Sequence, residues 1–262
     1  MVWPIAYAEG NRVEPLEDHL LRTAFITLRV FERELEYLQK ERSTVLKIAT
    51  LSALFHDLGK ANERSYERYV KGDDKVSFKC HEVLSFLILK EMEYNKVYKE
   101  LGLERNDWMV IEYSVLNHHH AMRMVSECLL DERSIYKAIG LERMKLWKVL
   151  RIESPESKDY WSIGGYSARD VLQNFVNRDV YQMGPYYLKL SYVMSGLISL
   201  ADSLAAFLYR GELRDTPQTP SKYIRLSLRE RGYDVDEFLS KYSWLNNVNP
   251  QELYRYVLSA SF

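Results

Sequence analysis

Apolar residues return at three- and four-residue spacing through most of this 262-residue chain, and only 11 glycines and 7 prolines interrupt them. That period belongs to amphipathic helices packed on one another. Leu16, Leu20, Ile26, Val30, Leu35 and Leu38 trace one long first helix entered after Pro15, and Leu46, Ala49, Ala53 and Phe55 trace a second, stopped at Gly59. The same spacing predicts helices over residues 83–92, 108–116, 133–150, 168–176 and 186–209, with weaker ones over 222–231 and 251–259. Residues 71–79, 151–166 and 215–221 read as loops, and no stretch alternates apolar and polar residues well enough to predict a strand. The expected class is all-α.

Several function classes drop out on composition and motif. Thirty-six basic and 37 acidic residues give a net charge of −1, so any nucleic-acid contact must be local rather than driven by bulk charge. The one Gly-Lys pair, Gly59-Lys60, lacks the upstream glycine and following hydroxyl of a phosphate-binding loop, which excludes nucleotide-triphosphate motor chemistry. The longest apolar stretch, 190–201 between Lys189 and Asp202, is shorter than a membrane span and reads as a buried helix, so no membrane partner is expected. Cys80 and Cys128 are too few for a disulfide framework, and the first residues lack a signal-peptide pattern. A cytoplasmic protein is expected.

Six histidines, at 19, 56, 81, 118, 119 and 120, lie in the first half of the chain, and each sits beside an apolar helical pattern. Imidazoles projected from the inner faces of several helices can converge on a metal in a helical core. Asp202 joins them, because an ionised carboxylate in the most apolar helix needs a partner or a metal. Seven candidate ligands exceed the needs of one tetrahedral zinc and suit two metals with mixed nitrogen and oxygen donors. A lone core histidine is more often structural; the string His56-Asp57-Leu58-Gly59-Lys60 at a helix end tips the balance toward a metal site.

The order His19, His56-Asp57 with Lys60, His81, His118-His119 and Asp202 resembles the HD superfamily of metal-dependent phosphohydrolases. The doubled histidine, and Cys80-His81-Glu82 with Ser85, look most like the HD nuclease of type I CRISPR interference systems, in the form encoded apart from its helicase. The resemblance implies an HD-superfamily helical bundle with a metal site in its core over residues 1–210, and a C-terminal helical extension, 211–262, packed on the same domain. It implies two divalent cations (manganese, nickel, cobalt, iron or magnesium), one held by His19, His56, Asp57 and Asp202, the other by Asp57, His81, His118 and His119, with Asp57 bridging. Three consecutive histidines leave the pair as His118-His119 or His119-His120; Asn117 and the helix before it favour the first.

Such a site supports hydrolysis of a phosphodiester by a metal-activated water, with Asp57 and Lys60 as the catalytic residues and Lys60 meeting charge on the phosphate oxygens. A lysine at a helix C-terminus can also simply offset the helix dipole. The implied substrate is single-stranded DNA, with RNA as a further candidate, and the implied partners are a separate CRISPR helicase subunit and an RNA-guided surveillance complex. The alternative is an HD phosphohydrolase of a small nucleotide or cyclic nucleotide; a metal-stabilised scaffold without turnover is a third reading. Lys222, Arg225 and Arg229 on one helix face, and Tyr160, Trp161 and Tyr166 around Gly164-Gly165, are possible strand contacts, although a solvated face and core packing explain them more simply.

Overall fold

The computed structural model describes residues 3–38, 42–119, 128, 135–211 and 221–262. The expectation of a helical bundle holds. A short antiparallel ribbon, β1 (Ile5–Glu9) and β2 (Arg12–Pro15), leads into α1 (Leu16–Val30). Nearly every residue of α1 is buried, which marks it as the central helix rather than a surface one. Helix α2 (Glu32–Glu36) follows, then α3 (Arg42–Phe55), α4 (Glu63–Lys71), α5 (His81–Tyr94), α6 (Val97–Glu100) and α7 (Arg105–Asn117). After α8 (Leu146–Leu150) come a two-residue ribbon, β3 (Ser162–Ile163) and β4 (Tyr166–Ser167), and α9 (Ala168–Asn174). A π-helical turn and α10 (Val180–Gln182) lead to α11 (Gly184–Arg210), and α12 (Ser221–Glu230), α13 (Val235–Tyr242) and α14 (Pro250–Ser259) complete the order. Helices α3, α11 and α14 pack on α1, and α7 fits among α3, α5 and α11.

Four sequence expectations are corrected. The first helix is not continuous: the chain bends at Phe31, whose side chain is wholly buried, before α2 begins. The predicted helix over 133–150 is largely absent. Residues 133 and 134 lie outside the described residues, and from 135 onward the chain forms bridges to Asn62 and Asp159 and a 3-10 turn before the short α8. Strands exist, because the β1–β2 ribbon is too short to show a period, and α4 and α13 were not predicted at all. Helix α11 runs well beyond the 12-residue apolar stretch. By length and composition it could cross a membrane, but 67% of its most apolar window is buried inside the protein, as in a core helix.

The last helices pack on the same core. Phe25 of α1 contacts the rings of Tyr242, Trp244 and Tyr256, and Ser261 meets Thr50 of α3 at 2.5 Å. Residues 215–220 of the predicted loop lie outside the described residues.

Candidate metal centre

Five separate segments deliver the seven predicted ligands to one place. His19 stands on α1, His56 and Asp57 directly follow α3, His81 opens α5, His118 and His119 directly follow α7, and Asp202 lies in α11. His56, Asp57 and His118 are sealed from solvent; Asp202 and His119 each expose only an eighth to a seventh of their side chains (13% and 14%). His120 lies outside the described residues.

Asp57 divides the cluster. Its Oδ2 faces His19 Nε2 and His56 Nε2, each at 3.3 Å, while Oδ1 faces His81 Nε2 at 2.8 Å and His118 Nε2 at 3.5 Å. Asp202 Oδ1 closes the first group, 2.9 Å from His19 Nε2 and 3.7 Å from His56 Nε2. His119 Nε2 closes the second, 3.1 Å from His81 Nε2, and lies 4.0 Å from Asp202 Oδ2. Two sets of donors result, His19-His56-Asp57-Asp202 and Asp57-His81-His118-His119, with the ligand atoms of each within 4.8 Å of one another.

Four of the rings are aimed by their other nitrogen. His56, His81 and His118 each place Nδ1 on the carbonyl three residues upstream, of Ala53, Phe78 and Val115, at 2.6 to 2.7 Å. A carbonyl can only accept, so Nδ1 carries the proton and Nε2 presents a lone pair to the centre. His19 differs, because its Nδ1 lies 3.3 Å from the carboxylate of Glu14 on β2, which is itself buried and paired with Arg22. Sequence reasoning missed Glu14, since only the unpredicted ribbon carries it to His19.

The Leu58–Lys60 turn explains how His56-Asp57 meets α5. A Cβ on Gly59 would sit 2.0 Å from the carbonyl oxygen of His81, so only glycine allows the approach, and Gly59 N donates to Ser85 Oγ at 2.8 Å. Gly59 therefore acts by close packing; α3 has already ended at Phe55. Lys60 turns back into the site with Nζ 2.5 Å from Asp57 Oδ2, an ion pair and not a helix-end charge exposed to water. Asn62 pins the turn by donating to the Gly59 carbonyl.

The electrostatics fit a place built for cations. Burial pushes Asp57 up, yet His56, Lys60 and His81 outweigh it and hold its carboxyl well below the usual range; His19 and His56 do the same for Asp202. Burial pulls His19 down, but Glu14, Asp202 and Asp57 raise it to about 10. Burial lowers His118, and burial with the neighbouring His118 and His81 lowers His119 further. His56 Nε2 and His118 Nε2 are buried without a hydrogen bond and face Asp57, a costly arrangement for two buried lone pairs unless a cation meets them. The residues present fit divalent metal binding, and an all-nitrogen-and-oxygen donor set suits hard and borderline ions.

One family model matches, the HD domain, over residues 16–146. The chain belongs to the HD domain family. HD domains are metal-dependent phosphohydrolases that bind divalent metals, which accords with a donor cluster in the core of a helical bundle. No curated protein matches the sequence. The HD match contains six of the seven predicted ligands, while Asp202 lies beyond it and reaches the cluster on α11.

The other sequence suggestions fare differently. Tyr160 is wholly buried and Trp161 packs edge-on to Tyr136, so of the three aromatic residues near Gly164 only Tyr166 stands out from the surface. Arg225 and Arg229 are exposed on α12. Cys80 and Cys128, too few for a disulfide framework, nevertheless form one disulfide, with Cys80 immediately before His81.

Proposed function

We propose that this HD-domain chain is a nuclease that hydrolyses phosphodiester bonds of single-stranded DNA in CRISPR interference, alongside a helicase on a separate chain and an RNA-guided surveillance complex. The observation that carries the nuclease reading is Asp57, whose two oxygens face two separate histidine sets. We assign one divalent cation to each set, His19-His56-Asp57-Asp202 and Asp57-His81-His118-His119. Such a pair supplies an activated water and charge to stabilise the attacking and leaving oxygens. The chain's own part is orientation and charge. The upstream carbonyls and Glu14 hold the imidazoles in the ligating tautomer, and Lys60, released from Asp57, turns its ammonium toward the phosphate oxygens. Residues 1–210 form the nuclease unit in this reading, residues 211–262 are an extension packed on it, and the setting is cytoplasmic.

The CRISPR setting and the DNA strand rest on the sequence resemblance. The enclosure of the donors favours a second reading, hydrolysis of a small nucleotide. One experiment separates them: labelled single-stranded DNA, blunt duplex, nucleoside triphosphates and cyclic nucleotides are each incubated with the protein and manganese, nickel, cobalt or magnesium. The nuclease reading expects cleavage of the single strand, weakened by salt, and little action on the rest. Hydrolysis of a small nucleotide orders of magnitude faster than the oligonucleotide would replace it with the second.

A further inference from the structure

Helices α7 and α11 lie side by side with the same polarity. Two contacts fix this: Tyr113 meets Tyr192 edge-to-face with ring centroids 5.4 Å apart, and farther along both helices His119 lies against Asp202. His119 and Asp202 are also the candidate ligands that reach the surface, so the metal centre opens beside the C-terminal end of α7 and about two turns before the end of α11. At 1.5 Å per residue the tyrosine pair stands roughly 9 to 15 Å from the opening.

The surface along this helix pair suits a polyanion. On α7 the residues that keep some exposure along this face are Asn106, Tyr113 and Asn117, and on α11 they include Lys189, Tyr192, Gly196, Ser199 and Ser203. Every acidic residue of the two helices, Asp107, Glu112 and Asp202, is buried, so no exposed carboxylate on either helix repels a phosphate along the way. Lys189, one turn before Tyr192, is exposed and carries no ion pair among the described residues. Tyr192 itself is 59% exposed beside its aromatic neighbour.

We propose that the Tyr113–Tyr192 pair, with Lys189, is a stacking station for an unpaired nucleobase of a single strand whose backbone continues along α11 to the metal centre. The proposal rests on the nuclease reading above and adds a recognition site to it. Tyr192 offers a ring face to any base, and Lys189 meets a neighbouring phosphate, so the station is blind to sequence. The distance to the opening corresponds to about three to four nucleotides at roughly 3.4 Å each in a stacked strand.

The test is binding of a fluorescein-labelled 15-mer oligothymidylate to the full chain in EDTA, followed by anisotropy, with wild-type cleavage of the same oligonucleotide in manganese measured alongside. Tyr192→Ala is expected to weaken binding about tenfold, the contribution of one stacked base, while Tyr192→Phe keeps the ring and stays within about twofold. Lys189→Gln should lower the slope of log affinity against log salt by about 0.7. The proposal is overturned if wild type cleaves the strand while Tyr192→Ala binds as tightly as wild type, or if Tyr192→Phe loses as much as Ala. It is also overturned if Tyr192→Ala abolishes self-association in sedimentation and leaves oligonucleotide affinity intact. Metal-loaded wild type that neither binds nor cleaves the strand would instead remove the nuclease reading beneath it.

Discussion

Glu14 is the sharpest place to probe the metal centre, because it touches only one of its halves. Its carboxylate, 1% exposed, accepts from Arg22 and lies 3.3 Å from Nδ1 of His19; His81 and His118 are aimed by backbone carbonyls instead. Glu14→Ala leaves the Arg22 guanidinium, 3% exposed, without its partner, and breaking a buried pair in this way costs about 3 to 5 kcal/mol of stability. Glu14→Gln combined with Arg22→Met removes the stranded charge and keeps an acceptor near His19, so its stability should return to within about 1 kcal/mol of wild type. Losing the carboxylate behind a ligating histidine typically costs 10- to 100-fold in metal affinity, about 1.4 to 2.8 kcal/mol. Urea unfolding in EDTA measures the first quantity, and calorimetric titration of manganese into the metal-free double variant measures the second. A two-step isotherm is expected in which only one step weakens. A double variant of wild-type stability with both steps unchanged would refute a positioning role for Glu14, and equal weakening of both would refute the division of the site at Asp57.

Asp57→Ala should abolish metal-dependent hydrolysis and lower bound metal more than His56→Ala does, with helical circular dichroism retained, since Asp57 belongs to both donor sets; full activity at unchanged metal content would exclude the site. Lys60→Ala should cut kcat far more than it raises KM if the ammonium acts on the transition state, and the reverse split, read from steady-state kinetics on an oligonucleotide, would make it a docking residue. A fourth prediction concerns stability against pH. Glu112 is fully buried with one oxygen unpartnered, and burial raises its carboxyl from 4.5 to about 8 despite Lys90 at 3.1 Å. Its contribution to stability is whole below the unfolded value and is lost as pH rises through about 8, by about 5 kcal/mol in total. Glu112→Gln should remove that decline; denaturant midpoints at pH 5 and pH 9 that fall as far in the variant as in wild type would disprove it.

Helical class was legible in the chain because a three- and four-residue apolar period survives in each helix on its own, whatever its neighbours. The ligand types were legible for a related reason: His56-Asp57, His118-His119 and a carboxylate in the apolar run before Leu204 are local departures from that period that core burial would penalise without a metal. Local pattern could not say which oxygen of Asp57 serves which histidine, or that Gly59 is needed because its missing side chain lets the turn reach the His81 carbonyl, contacts that exist only once α3 and α5 are packed. Glu14 was invisible for the same reason, as a four-residue strand has too few positions to show a period and its partner is reached through the ribbon. Lys60 is the intermediate case: its place after the His-Asp turn marked it, but a flexible side chain has no direction until burial and Asp57 impose one. Sequence by itself marked the candidate ligands and set them on helices or directly beside helix ends. The tertiary structure alone decided how five distant segments share one carboxylate, because distances between helices are set by packing and leave no trace in local spacing.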